Sequence, residues 1–409
     1  MTKTNPLTYD GYIEGYYGRL LSFADRRRVL KQLNALGMTS YFYAPKDDPF
    51  HRLDWRMPYP EQWLAEWRQF IADAKDMGIT VIAGCAPGLD LNIGLDLNIG
   101  LDLNITAETD IAIIADKLTS LCGNSAEQSA IPCLLMDDIP PAMADANGQH
   151  HQEGQAHARL VGQLADRLAA TGHPNIMVTP RVYADELDKD TPGYLNGFVP
   201  ELPAGIPVFY CGKHIVAHDL NMSGTAICDA GMETSNIVIW DNIYANDYCP
   251  RRLFLGARYG VSKHGVSKHG WAEARHHTGG VMLNPTGMIE TDILLLDIMA
   301  ADHDKDSWQA IFRKHHVPDA FFEIAHAFDR PVDPDASEHP LPDQNIPVML
   351  SALDELLWRW KSPLAREWYP FLMGLRGDLL MLSGAADDLR QAKIMPPYLR
   401  QFYQRKTSE

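Results

Sequence analysis

Eight short apolar runs, rich in β-branched and aromatic residues, recur between residue 9 and about residue 285. They span 9–14, 40–45, 79–86, 131–137, 176–183, 206–211, 236–241 and 280–284. Runs this short and this apolar suit parallel strands buried on both faces. Longer amphipathic stretches lie between most of them. Ser22 with Asp25 marks a helix start, Val29, Leu30, Leu33 and Leu36 share one face, and Gly37 marks the stop. Residues 60–77, 107–121 and 154–171 read the same way, whereas 217–233 is only weakly helical. Eight strands alternating with helices predict an α/β (β/α)8 TIM-type barrel; a doubly wound open sheet is the alternative that the pattern leaves open.

From about residue 288 the strand signals stop. Segments 288–301, 306–314, 318–328, 346–360, 362–382 and 384–392 look helical, with a Pro- and Asp-rich connection at 330–346. The expected organisation is a catalytic barrel over 1–287 and an all-helical C-terminal domain over 288–409. The aromatics of the second part, Trp308, Phe321, Phe322, Trp358, Trp360, Trp368, Tyr369 and Phe371, read as core or as a dimer face. Two exact tandem repeats interrupt the pattern: GLDLNI at 88–93, 94–99 and 100–105, and VSKHG at 261–265 and 266–270. Units this short do not build a solenoid, and both sit where insertions are tolerated.

A net charge of -17 over 409 residues disfavours nucleic acid as a partner, because phosphate binding needs a basic face. No apolar stretch approaches a membrane span, and the N-terminal MTKTNPLTYDGY carries no apolar leader segment. The six cysteines (Cys85, Cys122, Cys133, Cys211, Cys228 and Cys249) show no CxxC or zinc-type spacing. Cys85, Cys133 and Cys211 fall inside strand-like runs, as buried free thiols do. A soluble cytoplasmic protein in a reducing compartment is expected.

Polar residues interrupt the strand ends. Glu14-Gly15-Tyr16-Tyr17-Gly18 closes the first run, Tyr43 to Asp48 the second, and Asp137-Asp138 the fourth. Tyr183, Tyr210-Cys211-Gly212, Trp240-Asp241-Asn242 with Asp247 close behind, and Leu283-Asn284-Pro285 close later ones. In a barrel these ends meet on one face, where such folds place their chemistry. Asp137 and Asp138 are the centre of the set. Two neighbouring carboxylates against an apolar wall cannot comfortably ionise together, so one pKa should rise, and a raised carboxyl suits a general acid. A helix-capping pair and a Mg2+-binding pair are the rival readings. His150-His151 and His276-His277 resemble metal sites only superficially and are expected in solvent; no metal ligand set and no cofactor is expected.

The stretches IEGYYGR (13–19), YFYAPKDDPFHRLDWR (41–56), LLMDDI (134–139), IWDNIYANDY (239–248) and LNP (283–285) resemble the motifs of glycoside hydrolase family 84 over residues 9–290. That family contains O-GlcNAc hydrolases and hyaluronidase-type β-N-acetylglucosaminidases. The resemblance implies a retaining exo-β-N-acetylglucosaminidase with substrate-assisted catalysis: the 2-acetamido carbonyl of the sugar attacks its own anomeric carbon and forms an oxazoline. It further implies that Asp137 binds the acetamido N–H and stabilises developing positive charge. Asp138 would protonate the leaving oxygen and then activate water. Gly15 and Tyr16 would lie at the sugar, with the Gly15 backbone approaching where a side chain would clash. Lys46 and Asn242 match polar sugar-binding positions, and Asp247 and Asn284 match groups for the distal hydroxyls. Tyr183 and Trp240 match walls of the acetamido pocket. Asp47, Asp48, His51, Arg52 and Arg56 read as a cluster that braces the loop.

The chain departs from the family pattern at Leu20-Leu21, at Tyr210-Cys211-Gly212 and in the tripled GLDLNI, all bearing on the leaving-group side. The implied partner is a GlcNAc-containing glycan or an O-GlcNAc-modified protein or peptide. A homodimer through the C-terminal helices is the implied assembly. Two other functions stay open: a metal-dependent hydrolase using Asp137, Asp138 and Asp247, and a non-catalytic GlcNAc-binding protein.

Overall fold

The computed structural model describes residues 8–88, 105–123, 130–139, 149–248, 252–257, 271–301, 305–329 and 345–385. The VSKHG copies, the GLDLNI copies apart from Gly88 and Ile105, Cys249, most of the 330–346 connection and the 384–392 helix beyond Ala385 lie outside them.

Eight parallel strands close into a barrel in sequence order: β1 Gly11–Glu14, β2 Ser40–Tyr43, β3 Thr80–Cys85, β4 Ile131–Leu135, β5 Met177–Thr179, β6 Val208–Tyr210, β7 Ile237–Asp241 and β8 Gly280–Leu283. Closure comes from β1 against β8, with Gly11 opposite Met282 and Tyr12 opposite Leu283. This settles the open question in favour of the barrel. The helices of this part are α1 Phe23–Ala35, α2 Glu61–Asp76, α3 Ile105–Cys122, α4 Gln149–Ala170, α5 Asp185–Asp190, α6 Tyr194–Glu201, α7 Ala226–Asp229 and α8 Trp271–His277. Helix α1 begins as its sequence says. Ser22 Oγ accepts the Asp25 amide at 3.1 Å, Val29, Leu30 and Leu33 are buried, and Gly37 leaves the helix in the left-handed region at φ 67. The weak 217–233 segment yields only the single turn of α7.

The barrel interior is packed with Ile13, Phe42, Ile82, Leu135, Met177, Phe209, Val238 and Met282. Phe42 stacks on Phe209 at 4.7 Å between ring centroids, and Trp240 meets both edge-on at 5.6 and 5.9 Å. This aromatic layer also contains Ala44, Ala86 and Cys211, which lie just beyond the ends of β2, β3 and β6. A buried ion pair ties β1 to α1. Glu14 accepts Arg26 at 2.8 and 2.9 Å, Tyr41 at 2.5 Å and the Leu21 amide at 3.1 Å. It thereby fixes both ends of the loop that carries Gly15 and Tyr17.

The chain divides into two compact units, Met1–Asn242 with His269–Asn284, and Ile243–Lys268 with Pro285–Glu409. Residues 252–257 go with the helices of the second unit: Trp308 donates to the Leu255 carbonyl at 2.9 Å, and the Leu255 amide donates to the Phe328 carbonyl at 2.7 Å. The second unit holds α9 Ile289–Ala300, α10 Lys305–Lys314, α11 Ile346–Trp358 and α12 Pro363–Leu382. The helix expected at 318–328 is instead two 3-10 turns, Asp319–Glu323 and Ala325–Ala327. Phe312, Phe321 and Trp368 are buried, while Trp358 and Tyr369 are exposed at 54% and 44%. The aromatics thus divide between core and surface. Among the described residues no helix is long and apolar enough to cross a membrane.

Candidate active site

Because all eight strands are parallel, their C-terminal ends share one rim. Asp137 and Asp138 follow β4 there. Met136 still donates to the Thr179 carbonyl at 2.9 Å, which holds the chain to β5. The backbone then turns sharply. Asp138 adopts φ 56, a left-handed conformation that costs a non-glycine residue about 1–2 kcal/mol. The turn sends the two carboxylates into different surroundings.

Asp137 is buried. Its Oδ2 accepts the Lys46 ammonium, which is itself buried after β2 and lies 5.9 Å from the Trp240 ring centroid. Its Oδ1 is buried with no hydrogen-bond partner among the described residues. Asp138 lies at the open rim. Its Oδ1 accepts Tyr183 at 2.6 Å and its Oδ2 accepts Tyr17 at 2.9 Å. Burial, then the Asp138 carboxylate, push both phenols up, so both keep their proton and donate.

The two carboxyls shift in opposite directions. Burial pushes Asp137 up against the pull of Lys46, and the charge on Asp138 adds to the rise. Burial also acts on Asp138, yet Lys46, the Tyr183 and Tyr17 hydroxyls and Arg52 outweigh it and hold Asp138 below the usual carboxylate range. Asp138 is therefore the stronger acid of the two. The Lys46 charge contributes most to that lowering, and the two phenolic donors, both from other loops, add to it.

Beside the pair, Trp240 closes the floor. Its Nε1 donates to Asn242 Oδ1 at 2.8 Å, and Asn284 Nδ2 donates to the same oxygen at 2.9 Å. Asn242 Nδ2 is engaged by the Ile215 carbonyl at 3.0 Å and by Cys211 Sγ at 3.4 Å. Asn284 Oδ1 accepts the Gly15 amide at 3.2 Å. One hydrogen-bonded chain thus links the ends of β1, β7 and β8. A side chain at Gly15 would place its Cβ 2.5 Å from the Trp240 ring, so the close approach that demands glycine is to the indole.

Gly15, Lys46, Asp137, Asp138, Tyr183, Trp240, Asn242 and Asn284 all lie in the barrel unit. Of the other expected residues, one turns inward and one belongs to the second unit. Tyr16 is fully buried with its hydroxyl 2.9 Å from that of Tyr12; its neighbour Tyr17 is the one that reaches Asp138. Asp247 belongs to the second unit, where its carboxylate accepts the Tyr248 amide at 2.9 Å.

The cluster after β2 braces its loop as expected, with one addition. Asp48 accepts the Tyr43 hydroxyl, Tyr59 at 2.8 Å and the Phe50 amide at 2.9 Å. His51 Nδ1 lies 3.0 Å from the Gly84 carbonyl, and burial holds this histidine down to about 3 and neutral. Arg56 grips Asp110 at 2.9 and 2.7 Å. Arg52, expected only to brace, instead donates to the Asp138 main-chain carbonyl at 2.9 Å and to the Tyr17 hydroxyl at 2.7 Å. Among the histidine pairs, His151, His276 and His277 are exposed as expected, but His150 is buried 3.5 Å from Glu153, whose carboxylate forms a bidentate pair with Arg181. Cys85, Cys133 and Cys211 are buried free thiols, as expected of strand residues.

Comparison with known proteins adds three findings. Residues 10–309 match the family described as beta-N-acetylglucosaminidase. Protein O-GlcNAcase of Mus musculus is 26% identical over 300 residues, which make up 71% of this chain and 29% of the mouse protein; the Rattus norvegicus protein gives the same figures. The chain therefore spans about 29% of the length of these curated relatives. Among solved structures, a variant of the O-GlcNAc hydrolase of Thermobaculum terrenum superposes with a TM-score of 0.71 at 20% identity, covering 98% of this chain and 90% of that one. At that identity the likeness speaks for the fold.

Proposed function

Because the chain belongs to the beta-N-acetylglucosaminidase family, we propose that it is a retaining exo-β-N-acetylglucosaminidase of the O-GlcNAcase type, hydrolysing β-linked GlcNAc through an oxazoline. The observation that carries this reading is the buried Asp137. One of its oxygens is held by Lys46, and the other is a buried acceptor with no donor among the described residues. A buried acceptor left unpaired is costly. The acetamido N–H of a bound sugar would satisfy it and turn the acetamido oxygen toward the anomeric carbon. The charge on Asp137 then faces the positive charge that develops as the ring forms. A nucleophile carried by the substrate also reacts with little orientational cost once the sugar is held.

Asp138, at the open rim, is the acid we assign to the leaving oxygen. As an anion it is the base that activates water in the second step; the first step needs it protonated. Tyr183 links the two states. It is expected to line the acetamido pocket, and in this structure it donates to Asp138. A sugar that draws the Tyr183 hydroxyl away removes a donor to the Asp138 anion, while its N–H adds a donor to Asp137. Both changes move the pair toward a neutral Asp138 and a charged Asp137. Tyr183→Phe removes the same donor permanently. The neutral acid then persists to higher pH, and the alkaline limb of kcat/KM on a substrate with a poor leaving group is expected to move upward. An unmoved limb would reject this coupling.

The donors to the two carboxylates are one lysine and two tyrosines, which suit anions rather than a bound cation. This favours glycoside hydrolysis over the metal-dependent alternative, and two differently tuned carboxylates on one rim favour catalysis over mere binding. The proposed substrates are GlcNAc-bearing glycans or O-GlcNAc-modified proteins or peptides. A homodimer through the C-terminal helices draws support from the exposed Trp358 and Tyr369 on α11 and α12. A cytoplasmic setting is supported by the free thiols. The test is release of free GlcNAc from an aryl β-GlcNAc in the presence of EDTA. Turnover unchanged by the chelator is expected. Its abolition, or binding of GlcNAc without turnover, would overturn the proposal.

A further inference from the structure

We propose that Arg52 is a positioning residue for Asp138, clamping the main chain of the acid and the tyrosine that holds its carboxylate. The inference rests on the reading of Asp138 as the acid given above. The two terminal nitrogens of the guanidinium divide the work. One donates to the Asp138 carbonyl at 2.9 Å, the other to Tyr17 Oη at 2.7 Å, and Tyr17 in turn donates to Asp138 Oδ2 at 2.9 Å. The result is a closed ring running from the Asp138 carbonyl through Arg52 and Tyr17 back to the Asp138 carboxylate. The ring fixes the carboxylate relative to its own backbone.

That backbone needs holding. Asp138 sits at φ 56, one of two non-glycine residues with positive φ among those described, and a strained turn persists only where its surroundings impose it. Arg52 is itself anchored. It is buried, and its loop is fastened to β3 and α3: His51 contacts the Gly84 carbonyl at 3.0 Å, the Ala86 amide donates to the His51 carbonyl at 3.0 Å, and Lys117 donates to the Phe50 and Met57 carbonyls at 2.8 and 2.6 Å. The planar fork is what allows one side chain to reach both acceptors; a lysine ammonium is a point charge on a flexible stem. The loop after β2 thus transmits a fixed position to the loop after β4.

The experiment compares the wild type with Arg52→Met, Arg52→Lys and Asp138→Ala on aryl β-GlcNAc substrates with a good and a poor leaving group. Loss of position alone can cost about a hundredfold, so Arg52→Met is expected to lose about 10- to 100-fold in kcat on the poor leaving group. The loss on the good one should be several times smaller, and KM should change little. Arg52→Lys should stay closer to Arg52→Met than to the wild type, because charge without the fork does not rebuild the ring. Equal losses on both leaving groups in a protein that still melts cooperatively would overturn the proposal, as would wild-type behaviour of Arg52→Lys. If Arg52→Met does not fold, the lysine variant decides by the same split. Asp138→Ala separates the two failures. A leaving-group split there without one in the Arg52 variants rejects only the positioning role, whereas no split in Asp138→Ala removes the acid reading and the inference with it.

Discussion

Asp137→Asn is expected to lower kcat about a hundred- to a thousandfold on every β-linked GlcNAc substrate, whatever the leaving group, because removing one preorganised charge from a developing transition-state charge costs that much. The amide keeps the shape of the side chain and can still accept from Lys46. What it loses is the negative charge facing the forming oxazoline, and that charge acts at the acetamido group and not at the leaving oxygen. The same substitution leaves the Lys46 ammonium buried without its counter-charge. Breaking a buried pair from one side destabilises by about 3–5 kcal/mol, with the retained hydrogen bond pulling the value toward the lower figure. Chemical denaturation of both proteins gives the stability change, and steady-state kinetics at saturating substrate gives the rate. Loss of activity through unfolding would show as the absence of a cooperative transition.

The second large effect belongs to Asp138. Asp138→Ala removes the proton donor, so a substrate whose leaving group needs protonation should lose about 10²–10⁴-fold in kcat. A leaving group that departs as a stable anion should lose far less. The folded protein should survive: Asp138 lies at the rim, and its partners Tyr17 and Tyr183 can turn to solvent. Alanine retains the left-handed strain at this turn, so a modest drop in stability is expected besides.

Much of this was legible in the order of residues. Buried parallel strands read as unbroken apolar runs, and the eight barrel strands found all fall inside those runs, with the ends trimmed. Helix α1 was readable to the residue because Ser22 caps it and Gly37 ends it. Helices α5 and α6 were not, since Asp185–Asp190 carries no apolar face and Pro200 lies inside α6. Asp137 and Asp138 stood out because charge rarely follows an apolar run without reason, and Lys46, Asn242 and Asn284 because they end strands that share a rim.

What escaped was direction. A loop has no period, so nothing along Gly15-Tyr16-Tyr17 tells which tyrosine turns inward to Tyr12 and which turns out to Asp138. Arg52 escaped for the same reason: its acceptors lie 35 and 86 residues away in the chain. The sense of the carboxylate pair depended on Lys46 and on two phenols from the loops after β1 and β5. Neighbours in three dimensions, not in sequence, set which acid is the stronger.

The division of labour between Asp137 and Asp138 is tested most directly by plotting log kcat/KM against leaving-group pKa for a series of aryl β-GlcNAc substrates. The wild type, Asp137→Asn and Asp138→Ala are run together. The Asp137→Asn line should lie far below the wild type and parallel to it, while the Asp138→Ala line should fall steeply as the leaving group worsens. Parallel lines for Asp138→Ala and the wild type, or a steepened line for Asp137→Asn, would contradict it.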